Sequence, residues 1–200
     1  MELYAERGFD STSVAEIAER AGLTERTFFR HFADKREVLF YGSKALQEFL
    51  VGGVEDAPQS LAPIEVIVSA LVGAATGFFE ERREFARRRQ AIIAANTELQ
   101  ERELIKLASL ASALASALRK RGVRDQTASL AAEAGISLFK VAFQRWVDDD
   151  GESSLAHIIE QSLREMRAVT AGQRRPAPAG AAQRHPGHLR PSSRSPNRSE

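Results

Sequence analysis

The stretch from Ser13 to Asp34 constrains this chain most, because it holds two short apolar periodicities separated by a corner too tight for anything but a turn. Ser13 followed three residues on by Glu16 reads as a capping box, in which the hydroxyl accepts from a first-turn amide and the carboxylate returns to the serine amide. A helix therefore opens at Val14. Val14, Ile17, Ala18 and Ala21 recur at three- and four-residue spacing, and Gly22 supplies the left-handed residue that stops the helix. Thr24 is a second N-cap and opens a helix from Glu25 to about His31. Two helices joined by so compact a glycine turn form the arrangement that places a second helix in the DNA major groove.

On the wheel of that second helix, Phe28 and Phe32 share one side with Leu23 just ahead, while Arg26 and Arg30 project nearly opposite, with Phe29 between the stripes. Taken alone, the simpler reading is a solvated face with one snorkelling aromatic. Its position after the turn changes that reading. Ser13, Glu25, Arg26, Thr27, Phe29, Arg30 and His31 are expected to meet base edges and phosphates, and Lys35 at the next corner a phosphate.

The run AERGFDSTSVAEIAERAGLTERTFFRHFADKREVLF resembles the N-terminal helix-turn-helix of TetR-type transcriptional regulators, from about Leu3 to Phe40. A Gly-Phe turn, Ser-Val-x-x-Ile-Ala, Ala-Gly-Leu, Thr-Phe-Phe-x-His-Phe and Asp-Lys-x-x-Leu fall in that order. The resemblance implies an all-α protein, with a three-helix DNA-binding unit followed by a larger helical ligand-binding and dimerisation domain. Two departures stand out. Phe29 occupies the place where the family usually carries tyrosine, so a phenolic hydrogen bond to phosphate is absent. Only a turn or two precedes Gly8, which implies either a start further upstream or a first helix that is cut short.

Composition narrows the rest. The 200 residues suffice for one small module and a larger helical core. The absence of cysteine excludes thiolate zinc sites, disulfides and cysteine nucleophiles, and fits a reducing cytoplasm. No apolar run is expected to reach membrane-spanning length and no signal peptide is evident, so no membrane partner is expected. Residues 1–42 hold six Lys or Arg against eight Asp or Glu, a formal −2, so bulk charge does not argue for DNA. Local placement of Arg26, Arg30, Lys35 and Arg36 does.

Further on, Asp34 and Glu37 read as a capping box opening one helix to about Val51, ended by Gly52-Gly53. Pro63 opens a long apolar helix through Phe78 and Phe79, followed by helices over about 85–95, 98–121, 126–147 and, capped by Ser153 or Ser154, to Thr170. The expected division is a helix-turn-helix domain at 1–43, a regulatory and dimerisation domain at 44–170 and a disordered tail at 171–200. That tail carries six Arg and one Glu, leaving the remainder at −4.

In the last two helices, Ala131, Ala134, Leu138, Ala142, Leu155, Ile158, Ile159, Leu163 and Met166 form apolar stripes. Burial within one subunit is the plainer reading; with a helix-turn-helix attached, a homodimer through a four-helix bundle is expected. Phe78, Phe79, Phe139, Phe143 and Trp146, with Asn96 as polar anchor, are the candidate pocket for a neutral or weakly polar hydrophobic effector. No phosphate loop, HExxH, GxSxG or EF-hand pattern is present, so no catalysis, metal or cofactor is expected. The expected function is a regulator, in such families most often a repressor, binding a near-palindromic double-stranded operator as a homodimer and released by the effector. The alternatives are an all-helical enzyme with an apolar active site, which would need convergent acids or bases in the core, and a helical interaction module, which would not need the Arg26, Phe29 and Arg30 surface.

Overall fold

Side-chain caps start four of the α-helices among the described residues, and tertiary packing decides where several of them end. In the computed structural model, which describes residues 1–149, 151 and 153–171, the order is α1 (Glu2–Arg7), α2 (Val14–Arg20), α3 (Glu25–His31), a 3-10 turn (Lys35–Val38), α4 (Ser43–Asp56), α5 (Pro63–Ala74), α6 (Arg83–Ala94), α7 (Thr97–Lys120), α8 (Asp125–Asp148) and α9 (Leu155–Thr170). A π turn (Ala75–Phe79) and a 3-10 turn (Glu80–Arg82) carry α5 into α6. The described residues contain no strand. The protein is all α.

The capping box at α2 is formed, with Glu16 N donating to Ser13 Oγ at 3.2 Å and Ser13 N to Glu16 Oε2 at 2.8 Å. Gly22 follows with φ +67°. Thr24 caps α3, Asn96 caps α7 and Ser154 caps α9.

The connection to the body departs from the single helix that the pattern predicts between Asp34 and Val51. Asp34 caps only one 3-10 turn, and the chain bends again at Gly42, φ +92°, before α4 opens. Gly52-Gly53 does not end that helix, which continues to Asp56. A Cβ on Gly53 would stand 3.2 Å from the Ala70 Cβ, so this glycine lets α4 lie close on α5. Glu37 completes no capping box and turns instead to α7.

The main core gathers Leu50 and Val54 of α4, Val66, Ile67 and Leu71 of α5, Leu114 and Leu118 of α7, Ile136 and Trp146 of α8, and Leu155 and Ile159 of α9. The helical run Pro63–Ala94 is long and apolar enough to cross a membrane by length and composition, contrary to the expectation from sequence. Its first half is the middle of this bundle, with Val66, Ile67, Leu71 and Ala74 at most 1% exposed. A second cluster joins Tyr4, Phe9, Leu39 and Phe40 to Ile93 and Leu99 from the α6–α7 corner.

Most of the apolar stripes expected at a subunit interface are covered within one chain. Ala131, Leu138, Ala142, Leu155, Ile158 and Ile159 are buried within the single chain, Ile159 completely. Ala134, Leu163 and Met166 keep partial exposure. Periodicity identifies a buried face but not the molecule that buries it, and here α5 and α8 cover α9. Ile159→Glu would therefore unfold the body by several kcal/mol rather than split a dimer cleanly. The predicted tail at 171–200 lies outside the described residues except for Ala171.

Gly135 on α8 faces Ile67 so closely that a Cβ would meet its Cγ2 at 2.3 Å. Gly135→Ala should cost about 1–3 kcal/mol by overpacking. Gly52→Ala, where no atom lies within 4 Å of the new Cβ, should instead stabilise by about 0.5–1 kcal/mol through helix propensity. Urea unfolding of the two variants side by side checks both signs.

Candidate nucleic-acid interface and the adjoining cavity

A short helix presents a usable face only if its other side is anchored. Phe28 of α3 is buried, its ring 5.1 Å from Phe32 and 5.4 Å from Phe29, and Phe32 in turn lies 5.8 Å from Tyr41. With that side fixed, Glu25, Arg26, Phe29, Arg30 and His31 are exposed and Thr27 half-buried. Phe29 leaves 54% of its surface in solvent. Ser13 sits at the start of α2 with its hydroxyl engaged in the capping box.

Charge is distributed less evenly than the net −2 implies. Arg7 pairs with Glu16 at 2.6 Å, Arg20 with Glu2 and Glu6 at 3.4 Å, and Arg36 with Asp34 at 2.5 Å. Arg26 and Arg30 have no carboxylate partner among the described residues; Arg30 meets only the His31 ring, at 3.4 Å. Both guanidinium groups project from α3.

Lys35 departs from its expected role. Its ammonium donates to the carbonyls of Phe9 at 2.9 Å, Asp10 at 3.3 Å and Thr12 at 3.0 Å, and lies 4.4 Å from the centre of the Phe9 ring. Its own carbonyl accepts from the Tyr4 hydroxyl at 2.6 Å. All three ammonium protons are thereby directed inward, so Lys35 ties the α1–α2 turn to the corner after α3. The acceptors are backbone carbonyls, which no side-chain spacing reveals.

The same corner is fastened to the body. Glu37, only 16% exposed in its side chain, accepts from Arg102 at 2.5 Å and from Lys106 at 2.9 Å. Burial works to raise its carboxyl, but the hydrogen bonds from Lys106 and Arg102 more than offset this and hold it below the ordinary value. Arg89 donates to the Leu39 carbonyl at 2.8 Å and pairs with Glu103 at 3.0 Å. Asn96, expected as a pocket anchor, caps α7 and donates to Asp10 at 3.1 Å. It joins the DNA-binding module to the body and stands away from the cavity.

The cavity has a volume of about 620 Å³ and lies between the 38–47 segment and α6, α7 and α8. Phe78, Phe79, Phe139 and Phe143 line it. Trp146 does not; it is 1% exposed and backs the wall at 5.7 Å from Phe143 and 6.4 Å from Phe79. The lining is also less neutral than the aromatic pattern predicts, since Lys44, Arg82, Arg89, Lys106 and Lys140 reach it against Glu103 alone among the acids. Arg82 and Lys140 make no ion pair among the described residues. These cations come from five separate elements, and their convergence has no local sequence signal.

A helix-turn-helix with an exposed, arginine-bearing second helix, joined to a helical bundle that holds a cavity, defines a regulator of the DNA-binding class. Residues 1–41 match the family model for bacterial regulatory proteins of the tetR family, and residues 61–171, more than half of the chain, match that of the MftR C-terminal domain. The chain belongs to the TetR family of transcriptional regulators. It is 36% identical over 70 residues to the HTH-type transcriptional regulator TcmR of Streptomyces glaucescens, which is 35% of this chain and 31% of TcmR. It is 26% identical over 156 residues to MftR of Mycobacterium tuberculosis (strain ATCC 25618 / H37Rv), assigned by name to the regulation of mycofactocin biosynthesis; this is 76% of this chain and 78% of MftR. The crystal structure of Thermus thermophilus FadR, a TetR-family repressor in complex with lauroyl-CoA, is similar with a TM-score of 0.47 and 24% identity, covering 91% of this chain and 95% of FadR.

Lys35→Ala should destabilise the protein by about 2 kcal/mol, the scale of hydrogen bonds to a charged donor, and lower the midpoint of thermal unfolding. A melting curve like that of the unaltered chain would refute the inward role. Glu37 contributes stability above its ordinary value of 4.5 and loses it as pH falls through its depressed folded value, so Glu37→Gln should flatten the acid limb of stability against pH below 4.5.

Proposed function

We propose that this protein is a repressor that binds a near-palindromic operator as a homodimer and is released when a small, largely apolar molecule occupies the cavity. The observation that carries the DNA reading is the pair Arg26 and Arg30. They are the cations of residues 1–42 left without a carboxylate or backbone partner, and both lie on the exposed face of α3 with Phe29 between them. On this reading Arg30 meets a guanine edge, Arg26 and Thr27 phosphate or sugar, and Phe29 a thymine methyl.

A dimer is needed because one seven-residue helix offers few contacts, whereas two heads about 34–36 Å apart double each of them. The face that suits a second copy is the outer side of α8. Leu130 and Val141 are 65% and 57% exposed, with Ala134 and Ser137 completing the stripe between them at helical spacing. Exposed branched side chains in that register, outside a core that is already closed, favour burial by another copy of the same helix.

The cavity has the size of a small-molecule site. Its aromatic walls favour an apolar body, and Arg82 and Lys140 favour an anionic or strongly hydrogen-bond-accepting end. This revises the neutral effector expected from the aromatics alone. Ligand binding favours a head spacing that no longer fits adjacent grooves, and the differential affinity for the two states sets the response.

Selection of bound DNA from a random pool tests the reading, and failure to enrich a near-palindrome with the intact dimer would count against it. On the recovered site, Arg30→Ala should relax preference at one base pair per half-site by about 1–3 kcal/mol. Arg26→Ala should lower the log-log salt slope by about 1.8 per dimer, from about 0.9 per phosphate contact. Val141→Glu should yield folded monomers with weak operator binding in sedimentation and binding assays. Phe143→Trp should fill the cavity and blunt release by ligand while the free dimer still binds DNA.

A further inference from the structure

The charged corner where the cavity meets the DNA-binding module serves both at once. Arg89, Glu103 and Lys106 line the cavity. The same Lys106 ammonium donates to Glu37 at 2.9 Å, and the same Arg89 donates to the Leu39 carbonyl at 2.8 Å. Glu37 and Leu39 belong to the short segment that leads from α3 to α4, and residues 38–42 of that segment, with Ser43 and Lys44 at the start of α4, form part of the cavity wall. Through Tyr41 the segment also touches Phe32, and Phe32 stacks on Phe28 beneath the exposed face of α3.

A lysine has three protons and an arginine a fixed fork, so a cation drawn toward an anion in the cavity keeps less for Glu37 or for the Leu39 carbonyl. The partly desolvated setting makes that competition stronger than it would be in water. The geometry points to a clasp that the ligand opens. An anionic or strongly accepting group at the cavity's charged corner takes Lys106 and Arg89 away from Glu37 and Leu39, and so loosens the segment that fixes the angle of α3. This deepens the proposed function and rests on the reading of the cavity as the effector site. A ligand that fills the apolar part alone has no purchase on the clasp, because it offers nothing for which the open and closed states differ in affinity.

Hydrogen exchange of the full chain without DNA tests the clasp. In Glu37→Gln the amides of residues 36–44 should exchange about tenfold faster or more, the loss expected for at least one of the charge-assisted hydrogen bonds that Glu37 accepts from Arg102 and Lys106. Amides of α5 and α8 should keep their rates, which separates loosening from unfolding. Lys106→Gln removes the other side of that contact while Arg102 stays on Glu37, and should act in the same direction. In the unaltered chain, saturating anilinonaphthalene sulfonate should reproduce the acceleration. Phenylnaphthylamine, the same ring system without the sulfonate, should brighten in the cavity and leave the segment at its original rate. Unchanged exchange in both variants would overturn the clasp, and indistinguishable effects of the two probes would overturn its opening by an anion. Binding of neither probe would instead strike the effector-site reading beneath it. Since no operator is used, each of these failures leaves DNA binding to be judged on its own measurement.

Discussion

The body depends on how closely α5 is approached by its neighbours. Ile67 meets Gly135 of α8 and Ala70 meets Gly53 of α4 across gaps with no room, or little, for another carbon. Two glycines thus replace side chains that would hold the helices apart, and the branched residues of α5 fill the space so gained. The arrangement fixes the first half of the long helical run as the axis of the bundle. Irregularity is displaced to the π turn beyond Ala74, where the extra residue per turn re-aims Phe78 and Phe79 toward the cavity.

The DNA-binding module does not close on itself in the same way. Its larger apolar residues Tyr4, Phe9, Leu39 and Phe40 pack with Ile93 and Leu99, which belong to the corner between α6 and α7. A unit of about 40 residues is at the lower limit for independent folding, so burial against that corner supplies part of what orders it. Around the apolar contact stand directional ones, Asn96 to Asp10, Arg102 and Lys106 to Glu37, and Arg89 to Leu39. Hydrophobic burial sets how firmly the two parts are joined, and the hydrogen bonds set the angle at which they are joined.

The elements that were legible in the sequence are those whose cause is local. Ser13 with Glu16, Thr24, Gly22 and Ser154 each act on an amide or a φ angle within a few residues, and the structure uses each in that way. Phe139 and Phe143 keep helical spacing, so their sharing one face of α8 was legible, and Phe78 and Phe79 meet them at the cavity wall. What sequence could not assign was the distant partner. Spacing alone points Lys35 and Asn96 toward other molecules, but their partners in the structure are Phe9, Asp10 and Thr12 in one case and Asp10 in the other. The stripe of Ile158 and Ile159 suits a second subunit equally well, but α5 and α8 of the same chain cover them. Gly52-Gly53 resembled a stop because a turn and a close helix contact call for the same residue.

The formal charge of residues 1–42 misleads for a related reason. Acids outnumber bases there, yet the repulsion that an excess of two negative charges would exert on a polyanion depends on where those charges lie. Glu2, Glu6, Glu16 and Asp34 each stand within about 3.5 Å of a guanidinium, so much of their field is cancelled over the length of an ion pair, while Glu37 is neutralised from the body by Arg102 and Lys106. Beyond a Debye length of about 8 Å in physiological salt, what survives of such pairs is weak. Arg26 and Arg30 have no such cancellation. A surface can therefore be attractive to phosphate where α3 lies and still belong to an acidic module, because ion pairing inside the module removes the opposing charge from that face.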